Sequence, residues 1–350
     1  MRKITRIISI LLCFLIFSGN MPFVDSSATA VAVKKSSDNV VVVIDPGHGG
    51  VGGTNEGAMY HGYIEKQLTL ATAAAMKQTL EQFEGVTVYL TRNTDVAMSL
   101  ADRAQFAKNV NADFLFSLHY NASPEHNIYG SEVWIPSRGN LYAKGYQFGT
   151  IMTAELGVLG LYQRGIKTKV GSKGDYYGII RNCTLRGIPS VIIEHCHLDH
   201  GVDLQFMRGN NPLMQFGYAD AIAVAKYFGL RSASLGLDFS DYKKVSVAAP
   251  KNAIPHDTTP PEVCTAVKKS YHAGTRTLVL NCTASDAGSP ILYYAVSFNG
   301  GATYSVLMPW NRFAQNADIT VKVPDGASHV IFRAYNQYDE FTDAAPVLVN

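Results

Sequence analysis

Apolar and polar positions follow two different periods along residues 38–230. Runs of β-branched and aromatic residues, typical of buried parallel strands, separate stretches in which apolar residues recur at helical spacing. The predicted strands are Val40–Asp45, Val86–Thr91, Asp113–Leu118, Ser131–Ile135 and Pro189–Ile193. The predicted helices are Glu65–Phe83, Ser99–Asn109, Leu141–Leu156 and Pro212–Phe228. This alternation predicts an α/β domain with a mostly parallel sheet flanked by helices.

The pattern changes after Leu230. Residues 231–260 lack a clear period and end in Asp257-Thr-Thr-Pro-Pro261, which favours a stiff linker. Residues 261–350 contain only short β-rich runs, and Asn299-Gly300 is a strong hairpin signal between two of them. The predicted strands are Thr277–Cys282, Ile291–Phe298, Thr303–Met308, Ile319–Val323 and His329–Tyr335. A small all-β sandwich domain is therefore expected, and it loosely resembles bacterial immunoglobulin-like or fibronectin-like modules.

The N-terminus has the three-part layout of a secretory signal peptide. A positive start, an apolar run and a small-residue cleavage pattern follow one another: Arg2, Lys3 and Arg6, then Ile7 to Phe17, then Ala28-Thr29-Ala30. The apolar run is shorter than the about 20 residues of a comfortable membrane span. Residues 1–30 are therefore predicted to be a signal peptide, and the mature protein to be secreted without a stable membrane span. An uncleaved anchor is the alternative.

Charge and cysteine content restrict the classes of protein to which this chain can belong. The 350 residues include 30 Lys and Arg against 28 Asp and Glu, a balance that argues against a nucleic-acid partner. Hydrophobic residues make up 47% of the chain, enough for two domains with real cores. Beyond the signal segment the cysteines form two pairs, Cys183 with Cys196 and Cys264 with Cys282, for which an oxidising exterior permits disulfides without requiring them. The sequence does not fix an oligomeric state.

Polar residues stand where the strands of the predicted sheet end. His48 follows the first strand, His119 ends the third and Glu194 ends the last. Because the carboxyl ends of parallel strands share one edge of a sheet, these side chains are expected to meet, and Glu65 at the start of the first helix faces the same edge. Two histidines and a carboxylate are a common catalytic zinc set, and a further carboxylate can act as its general base.

The motifs that carry this chemistry occur in a fixed order: Val43-Ile-Asp-Pro-Gly-His-Gly-Gly50, Glu65-Lys66, Leu90-Thr-Arg92 with Asp95, Leu100 with Arg103, Phe116-Ser-Leu-His-Tyr-Asn121 and Pro189-Ser-Val-Ile-Ile-Glu194. Over about residues 40–230 the combination resembles the zinc-dependent N-acetylmuramoyl-L-alanine amidases of bacterial cell walls, the amidase type 3 family. The resemblance implies a twisted, largely parallel sheet. It also implies that His48, Glu65 and His119 bind Zn²⁺ and that Glu194 is the catalytic base.

The segment after Glu194 departs from the family, whose members commonly continue with a Gly, an aromatic residue and an Asn. Here the chain reads Glu194-His-Cys-His-Leu-Asp-His200, so two interpretations stay open. These histidines form a second metal site, or they shape the substrate cleft and pair with Asp199 and Asp203. The candidate cleft residues are His61, Asn121, His195 and His197. Arg92 and Arg103 match family positions and are expected to pair with Asp95 and Asp102 or to cap helix carbonyls.

The implied function is that of an autolysin: an exported zinc hydrolase that cleaves the amide bond between N-acetylmuramic acid and L-alanine in peptidoglycan. Its catalytic domain would cover residues 38–230, a linker residues 231–260, and the β domain, as a spacer or wall-targeting module, residues 261–350. Two alternatives remain. One is a related zinc peptidase or amidase that acts on another cell-wall amide, and the other is a non-catalytic wall-binding protein.

Overall fold

The computed structural model describes residues 39–350, so the predicted signal peptide at residues 1–30 lies outside the described residues. In chain order, the elements up to residue 238 are β1 (Val40–Pro46), β2 (Met59–Tyr60), β3 (Tyr63–Ile64), α1 (Glu65–Leu80), β4 (Val86–Leu90), α2 (Leu100–Asn109), β5 (Phe114–Asn121), β6 (Ser131–Trp134), α3 (Gly139–Val158), β7 (Gln163–Lys167), β8 (Val170–Gly171), β9 (Gly174–Asp175), α4 (Gly178–Leu185), β10 (Ser190–His197), α5 (Gly201–Met207), α6 (Pro212–Phe228), β11 (Arg231–Ser232) and β12 (Leu237–Asp238).

The central sheet has the strand order β4-β1-β5-β10-β6-β7. The first four strands run parallel, β6 is antiparallel to β10, and β7 runs parallel to β6. The prediction of a mostly parallel sheet flanked by helices is confirmed. The parallel strands end at the same edge of the sheet, which brings His48, His119 and Glu194 to one side of the molecule.

The helix boundaries follow local sequence signals. Ser99 caps α2, because its side chain accepts a hydrogen bond from the Asp102 backbone N–H at 3.1 Å. Helix α6 starts at Pro212, where a missing N–H costs nothing, and stops at Gly229, which adopts the left-handed conformation (φ 67°). Helices α1 and α6 pack against each other so closely that a Cβ on Gly217 would lie 2.5 Å from the Ala75 Cβ.

The C-terminal β unit, residues 261–350, consists of antiparallel sheets. Its strands are β13 (Val263–His272), β14 (Thr277–Ser285), β15 (Ile291–Ser297), β16 (Met308–Pro309), β17 (Asn316–Lys322), β18 (His329–Asn336), β19 (Phe341–Asp343) and β20 (Val347–Leu348), with a short 3₁₀ turn at Ala273–Thr275. One sheet has the order β13-β14-β17, and the other has the order β16-β15-β18-β19 with β20 beside β18. Leu280 of β14 and Phe332 of β18 belong to one buried apolar cluster that joins the two sheets.

Two details of the β unit differ from the sequence prediction. The predicted strand Thr303–Met308 reduces to Met308–Pro309, and Asn299 lies in a wide turn rather than in a two-residue hairpin. The Asn299 side chain accepts a hydrogen bond from the Thr303 N–H, which ties residues 299–303 into that turn. All four cysteines within residues 39–350 are free. Cys264 and Cys282 lie on the adjacent strands β13 and β14 but are not register partners. Cys264 lies opposite Ala284 and Cys282 lies opposite Ala266, so the two cysteines are offset by two residues.

Residues 239–262 run without a helix or strand from the β11–β12 hairpin to the β unit. No helix in the described part of the chain is long and apolar enough to cross a membrane.

The two units contact each other along β7. The Arg164 guanidinium, 2% exposed, donates to the Tyr293 hydroxyl at 3.2 Å and to Asp339 Oδ2 at 2.7 Å. The Tyr293 hydroxyl in turn donates to the Tyr129 carbonyl, and the Gln337 amide donates to the Ile166 carbonyl at 2.8 Å. Buried polar groups are costly unless they are paired, so these contacts fix the β unit against the edge of the sheet.

Candidate metal centre

Three side chains from three different elements converge at the carboxyl edge of the sheet. His48 lies in the loop after β1, Glu65 opens α1 and His119 lies near the end of β5. One donor atom from each lies within 4.8 Å of the other two. Glu65 Oε1 is 3.1 Å from His48 Nε2 and 2.9 Å from His119 Nδ1. Two imidazole nitrogens and a carboxylate oxygen that converge in this way suit a divalent transition metal.

Glu65 is held in a fixed orientation by backbone groups. Its Oε2 accepts the Ala58 N–H at 2.7 Å, and its Oε1 accepts the Tyr120 N–H at 3.0 Å. Burial on its own would raise the pKa of Glu65, but hydrogen bonds from His119 and His48 lower it far below the ordinary value. The Glu65 carboxylate is therefore ionised and held in a fixed orientation.

His48 is oriented by its neighbour Asn55. The Nδ1 of His48 is 3.0 Å from Asn55 Oδ1, which can only accept, so Nδ1 donates to it and the ring presents Nε2 to Glu65. The backbone of His48 is in the left-handed region (φ 62°), which turns its side chain toward the other two. Burial lowers the pKa of His48, but the adjacent Glu65 carboxylate more than offsets this and leaves the pKa raised.

Two buried arginines hold the loop that carries His48. Arg103 donates to Asp45 Oδ1 at 2.8 Å and to the Pro46 carbonyl at 2.7 Å, and it also donates to the His48 carbonyl. Arg92 donates to the Gly47 carbonyl at 2.8 Å. These bonds satisfy carbonyls that the tight turn leaves without partners.

The expected ion pairs of these arginines with Asp95 and Asp102 do not form, although Arg92 does donate to a helix carbonyl, that of Lys66 in α1, at 2.8 Å. Asp102 instead accepts the Ser99 hydroxyl at 2.6 Å, and Asp95 pairs with Lys66 at 2.7 Å. The arginines reach across the fold to Asp45 and the loop carbonyls because sheet formation brings β1 beside them, which spacing along the chain does not reveal.

Gly47 allows the loop to pass directly over His119. A Cβ at this position would lie 2.4 Å from the His119 ring, which is shorter than any tolerated contact. The glycine is therefore required for the two histidines to approach each other.

Glu194 lies beside this centre on β10. It is the register partner of His119 on β5 and of Glu132 on β6, so the three side chains share one face of the sheet. Its Oε2 is buried and has no hydrogen-bond partner within residues 39–350. Burial raises the pKa of the Glu194 carboxyl well above the ordinary value, and the charges of Glu65 and Glu132 add to that effect.

Glu132 has the opposite environment. Its Oε2 accepts Arg164 Nε at 2.8 Å and Lys167 Nζ at 2.6 Å, and its Oε1 accepts the Trp134 indole at 3.0 Å. Burial would raise the pKa of Glu132, but the charges of Lys167 and Arg164 lower it far below the ordinary value. The pKa values of these two neighbouring carboxyls are thus pushed in opposite directions, and Glu194 is the one without a cationic hydrogen-bond partner.

Comparison with known proteins assigns the chain to a family. A family model described as N-acetylmuramoyl-L-alanine amidase, amidase type 3, matches residues 42–226, which is more than half of the chain. The chain belongs to this amidase family. The match ends before the β unit.

Curated relatives and a solved structure agree with the family assignment. The amidase is 30% identical over 213 residues to N-acetylmuramoyl-L-alanine amidase CwlM of Bacillus licheniformis. The aligned region covers 60% of this chain and 75% of that relative. It is 29% identical over 196 residues to the sporulation-specific N-acetylmuramoyl-L-alanine amidase of Bacillus subtilis, covering 56% and 71%. Among solved structures, Cwp6 from Clostridium difficile matches with a TM-score of 0.50 and 28% identity over 55% of this chain and 30% of that one.

The four candidate cleft residues of the amidase lie in different places. His61 is exposed in the turn between β2 and β3. Asn121 ends β5 and donates to Glu132 Oε1 at 3.1 Å. His197, 2% exposed, lies beside Asn121 and bonds through Nδ1 to the Gly130 carbonyl at 3.0 Å.

His195 does not face a cleft, because its side chain is 0% exposed. Its Nδ1 is 3.0 Å from the His119 carbonyl and its Nε2 is 3.0 Å from Asp220 Oδ2. Both ring nitrogens thus face acceptors, and His195 supports the strand that carries His119. Among the described residues no second cluster of metal-ligating side chains comes together, so the histidines after Glu194 do not form a second metal site there.

Several residues that shape the amidase site were not predicted from the sequence. Asn55, Glu132 and Asp220 all contact candidate site residues, yet none of them belongs to a motif that was singled out. For the two acids, the sequence does carry a signal, which is an acidic residue within an otherwise apolar stretch. Glu132 lies in a strand beside Val133 and Trp134, and Asp220 lies among the alanines of α6. Such acids are rarely buried unless they are paired.

Proposed function

We propose that this amidase is an exported Zn²⁺ enzyme that hydrolyses the amide between N-acetylmuramic acid and L-alanine in peptidoglycan, with Glu194 as general base. The observation that carries the proposal is the convergence of His48, Glu65 and His119 beside Glu194, whose buried oxygen has no partner within residues 39–350. Membership of the amidase family supports the choice of bond.

The donor set fits zinc. Two imidazoles and one carboxylate leave a fourth coordination position open, which is the arrangement of catalytic rather than structural zinc sites. When bound, zinc supplies positive charge that activates water and stabilises the negative charge that develops on the carbonyl oxygen. The same positive charge would favour the ionised form of Glu194, whose surroundings otherwise favour its protonated form.

Glu194 would perform the proton transfers. As a carboxylate it takes the proton from the attacking water, and it then returns this proton to the leaving nitrogen of alanine. Glu132 does not compete for this role, because Arg164 and Lys167 keep it ionised and paired.

The proposed location is the cell wall outside the cell. The signal-peptide pattern of residues 1–30 supports export, and cell-wall amidases among the relatives, such as the probable cell wall amidase LytH of Staphylococcus aureus, support the site of action. The antiparallel sheets of residues 261–350 support an immunoglobulin-like module after the linker.

Mass spectrometry of digestion products tests the proposal. Purified protein is incubated with peptidoglycan, with and without a zinc chelator, beside Glu194→Gln and the matched control Glu81→Gln on the exposed end of α1. Metal content is measured on all samples. We expect peptides with an unblocked N-terminal alanine, lost with the chelator, restored by added zinc and absent with Glu194→Gln, although that variant retains zinc.

Other results select the alternatives. Cleavage at a different bond would assign a related zinc peptidase or amidase, and zinc binding without cleavage would support a wall-binding protein. A protein that purifies without zinc and does not take it up would refute the metal site.

A further inference from the structure

A cavity lies between the α/β unit and the β unit. It measures about 520 Å³, and we call it the interdomain cleft. One wall contains Trp134, Lys167 and Lys169, and the other contains residues 256–258 of the linker and the turn at residues 338–340. Residues from outside the family match therefore form a whole side of this cleft.

The β-unit wall is fixed in place. The turn is anchored through Asp339, which pairs with Arg164 at 2.7 Å, and the Tyr338 hydroxyl accepts the Thr168 N–H at 3.2 Å. The neighbouring Gln337 amide donates to the Ile166 carbonyl. A cleft bounded by paired, buried groups keeps its shape in solution, as a binding site must.

The interdomain cleft begins next to the catalytic residues. Along the sheet edge the order is His119 on β5, Glu194 on β10 and Glu132 on β6, followed by β7 and then the β unit. Tyr177 lines both this cleft and a cavity of about 340 Å³ that contains His48 and His119. The two cavities are thus neighbours on either side of one side chain.

The proposed reaction indicates which side of the substrate lies toward which strands of the sheet. In the proposed hydrolysis the carbonyl oxygen faces the ligand set, and the leaving nitrogen must reach Glu194 to receive its proton. The acyl side, which carries the sugar, then extends toward β1, and the amine side, which carries the peptide, extends past Glu194 toward β6 and β7. The interdomain cleft lies on the amine side.

The walls suit a peptide that carries both kinds of charge. Lys169 is half-buried over the Tyr176 ring at 4.3 Å and has no carboxylate partner within the described residues. On the facing wall, Asp339 Oδ1 and His256 Nδ1 are buried and likewise lack a hydrogen-bond partner within residues 39–350. Buried polar atoms without partners are rare in native proteins and point to a ligand that supplies them.

We infer that the interdomain cleft binds the peptide branch of the substrate beyond its first residue, with Lys169 facing a carboxylate and Asp339 facing an amine. The β unit is then part of the substrate-binding site rather than a spacer. This inference rests on the proposed amidase reaction.

Two substrates of different peptide length test the inference. Both are disaccharides, one with a dipeptide and one with a tripeptide whose third residue has a free side-chain amine. The full protein is compared with Lys169→Met, with Asp339→Asn, and with Lys269→Met as a matched control on the outer sheet of the β unit. The kcat and KM of each protein are measured for both substrates.

The preference is the kcat/KM for the tripeptide substrate divided by that for the dipeptide substrate. Loss of one charged contact is expected to lower this ratio about tenfold, mainly through a higher KM for the tripeptide substrate. Lys269→Met should keep the wild-type preference, because Lys269 pairs with Asp318, away from the cleft. Asn still allows the left-handed backbone (φ 70°) at position 339, and its side-chain oxygen can still accept the hydrogen bond from Arg164, so we expect this second variant to retain the turn.

An unchanged preference in both cleft variants, with amide cleavage intact, would overturn the inference and leave the proposed function standing. If the wild-type protein cleaves neither substrate at this amide, the proposed function itself fails.

Discussion

Glu194 and His119 are register partners on the adjacent parallel strands β10 and β5. Because paired residues point to the same face of a sheet, backbone hydrogen bonding alone sets the proposed base, Glu194, beside the proposed metal ligand His119. The position of the Glu194 carboxyl therefore depends on the rigid sheet rather than on a loop. Sites built on strands and helices are more precisely placed than sites built on loops.

Replacement of Glu194 by Gln should remove the proton acceptor without altering the ligand set. The expected result is a fall in kcat of about 10²–10⁴-fold, the usual contribution of general acid–base catalysis, with metal content unchanged. Steady-state kinetics and elemental analysis on the same sample measure both. Normal turnover in this variant would assign the base elsewhere.

Replacement of Asn55 by Ala should weaken metal binding. The Nδ1 of His48 would lose its acceptor, so its tautomer and ring orientation would no longer be fixed. Loss of such a supporting contact typically costs about 10–100-fold in metal affinity. Titration against a chelator of known affinity measures the effect, and an unchanged dissociation constant would show that Asn55 has no part in the site.

Replacement of Gly47 by Ala should abolish metal binding without unfolding the protein. A Cβ at position 47 would collide with the His119 ring at 2.4 Å, so the ligands would move apart although the sheet remains. Gly201→Ala is the matched control, because a Cβ added there would meet nothing within 4 Å beyond its own chain neighbours. We expect normal circular dichroism for both variants and loss of zinc only for Gly47→Ala.

Replacement of Arg103 by Met should destabilise the whole domain. The change leaves Asp45, which is 1% exposed, as a buried charge without its arginine, and removing one partner of a buried pair typically costs about 3–5 kcal/mol. Urea unfolding of the variant measures this loss against Arg208→Met, an exposed arginine. Equal unfolding midpoints would show that the pair contributes nothing.

Glu132 should make stability depend on acid pH. Its pKa in the folded protein is held below the ordinary value of 4.5 by Lys167 and Arg164, so its contribution is complete above pH 4.5 and is lost as pH falls toward the folded-state pKa. The free energy of unfolding of Glu132→Gln should therefore fall less steeply than that of the wild type below pH 4.5. Urea unfolding at a series of acid pH values measures this slope, and identical slopes would contradict the assignment.

The sequence predicted those parts of the site that local patterns encode. His48 follows β1, and His119 and Glu194 lie after the apolar runs that open β5 and β10, so these three positions were predictable. The capping signal at Ser99 likewise indicates the start of α2. Strand β7 was missed because its buried residues include Arg164 and Lys167, which make it resemble a polar loop. Their burial depends on Glu132 and on the β unit, and such distant partners leave no local pattern.

The same limit applies to the β unit and to the histidines after Glu194. Strand β13 lies at the edge of its sheet and is mostly exposed, so its sequence carries Lys268 and Lys269 instead of an apolar alternation. His195 belongs to the core only because Asp220 of α6 meets it there. For His195 the decisive partner is therefore far away in the chain, whereas β13 pairs with the next strand, β14, and escapes prediction because it is exposed.

The anchoring of the β unit on β7 also bears on aggregation. Strand β7 is the last strand of the central sheet, and an exposed edge strand can pair with another copy of the chain. Side chains of the β unit cap its free carbonyls, since Gln337 bonds to Ile166 and Arg312 bonds to Gln163. A chain shortened after the linker would uncover this edge, so we expect such a chain to aggregate more readily than the full protein.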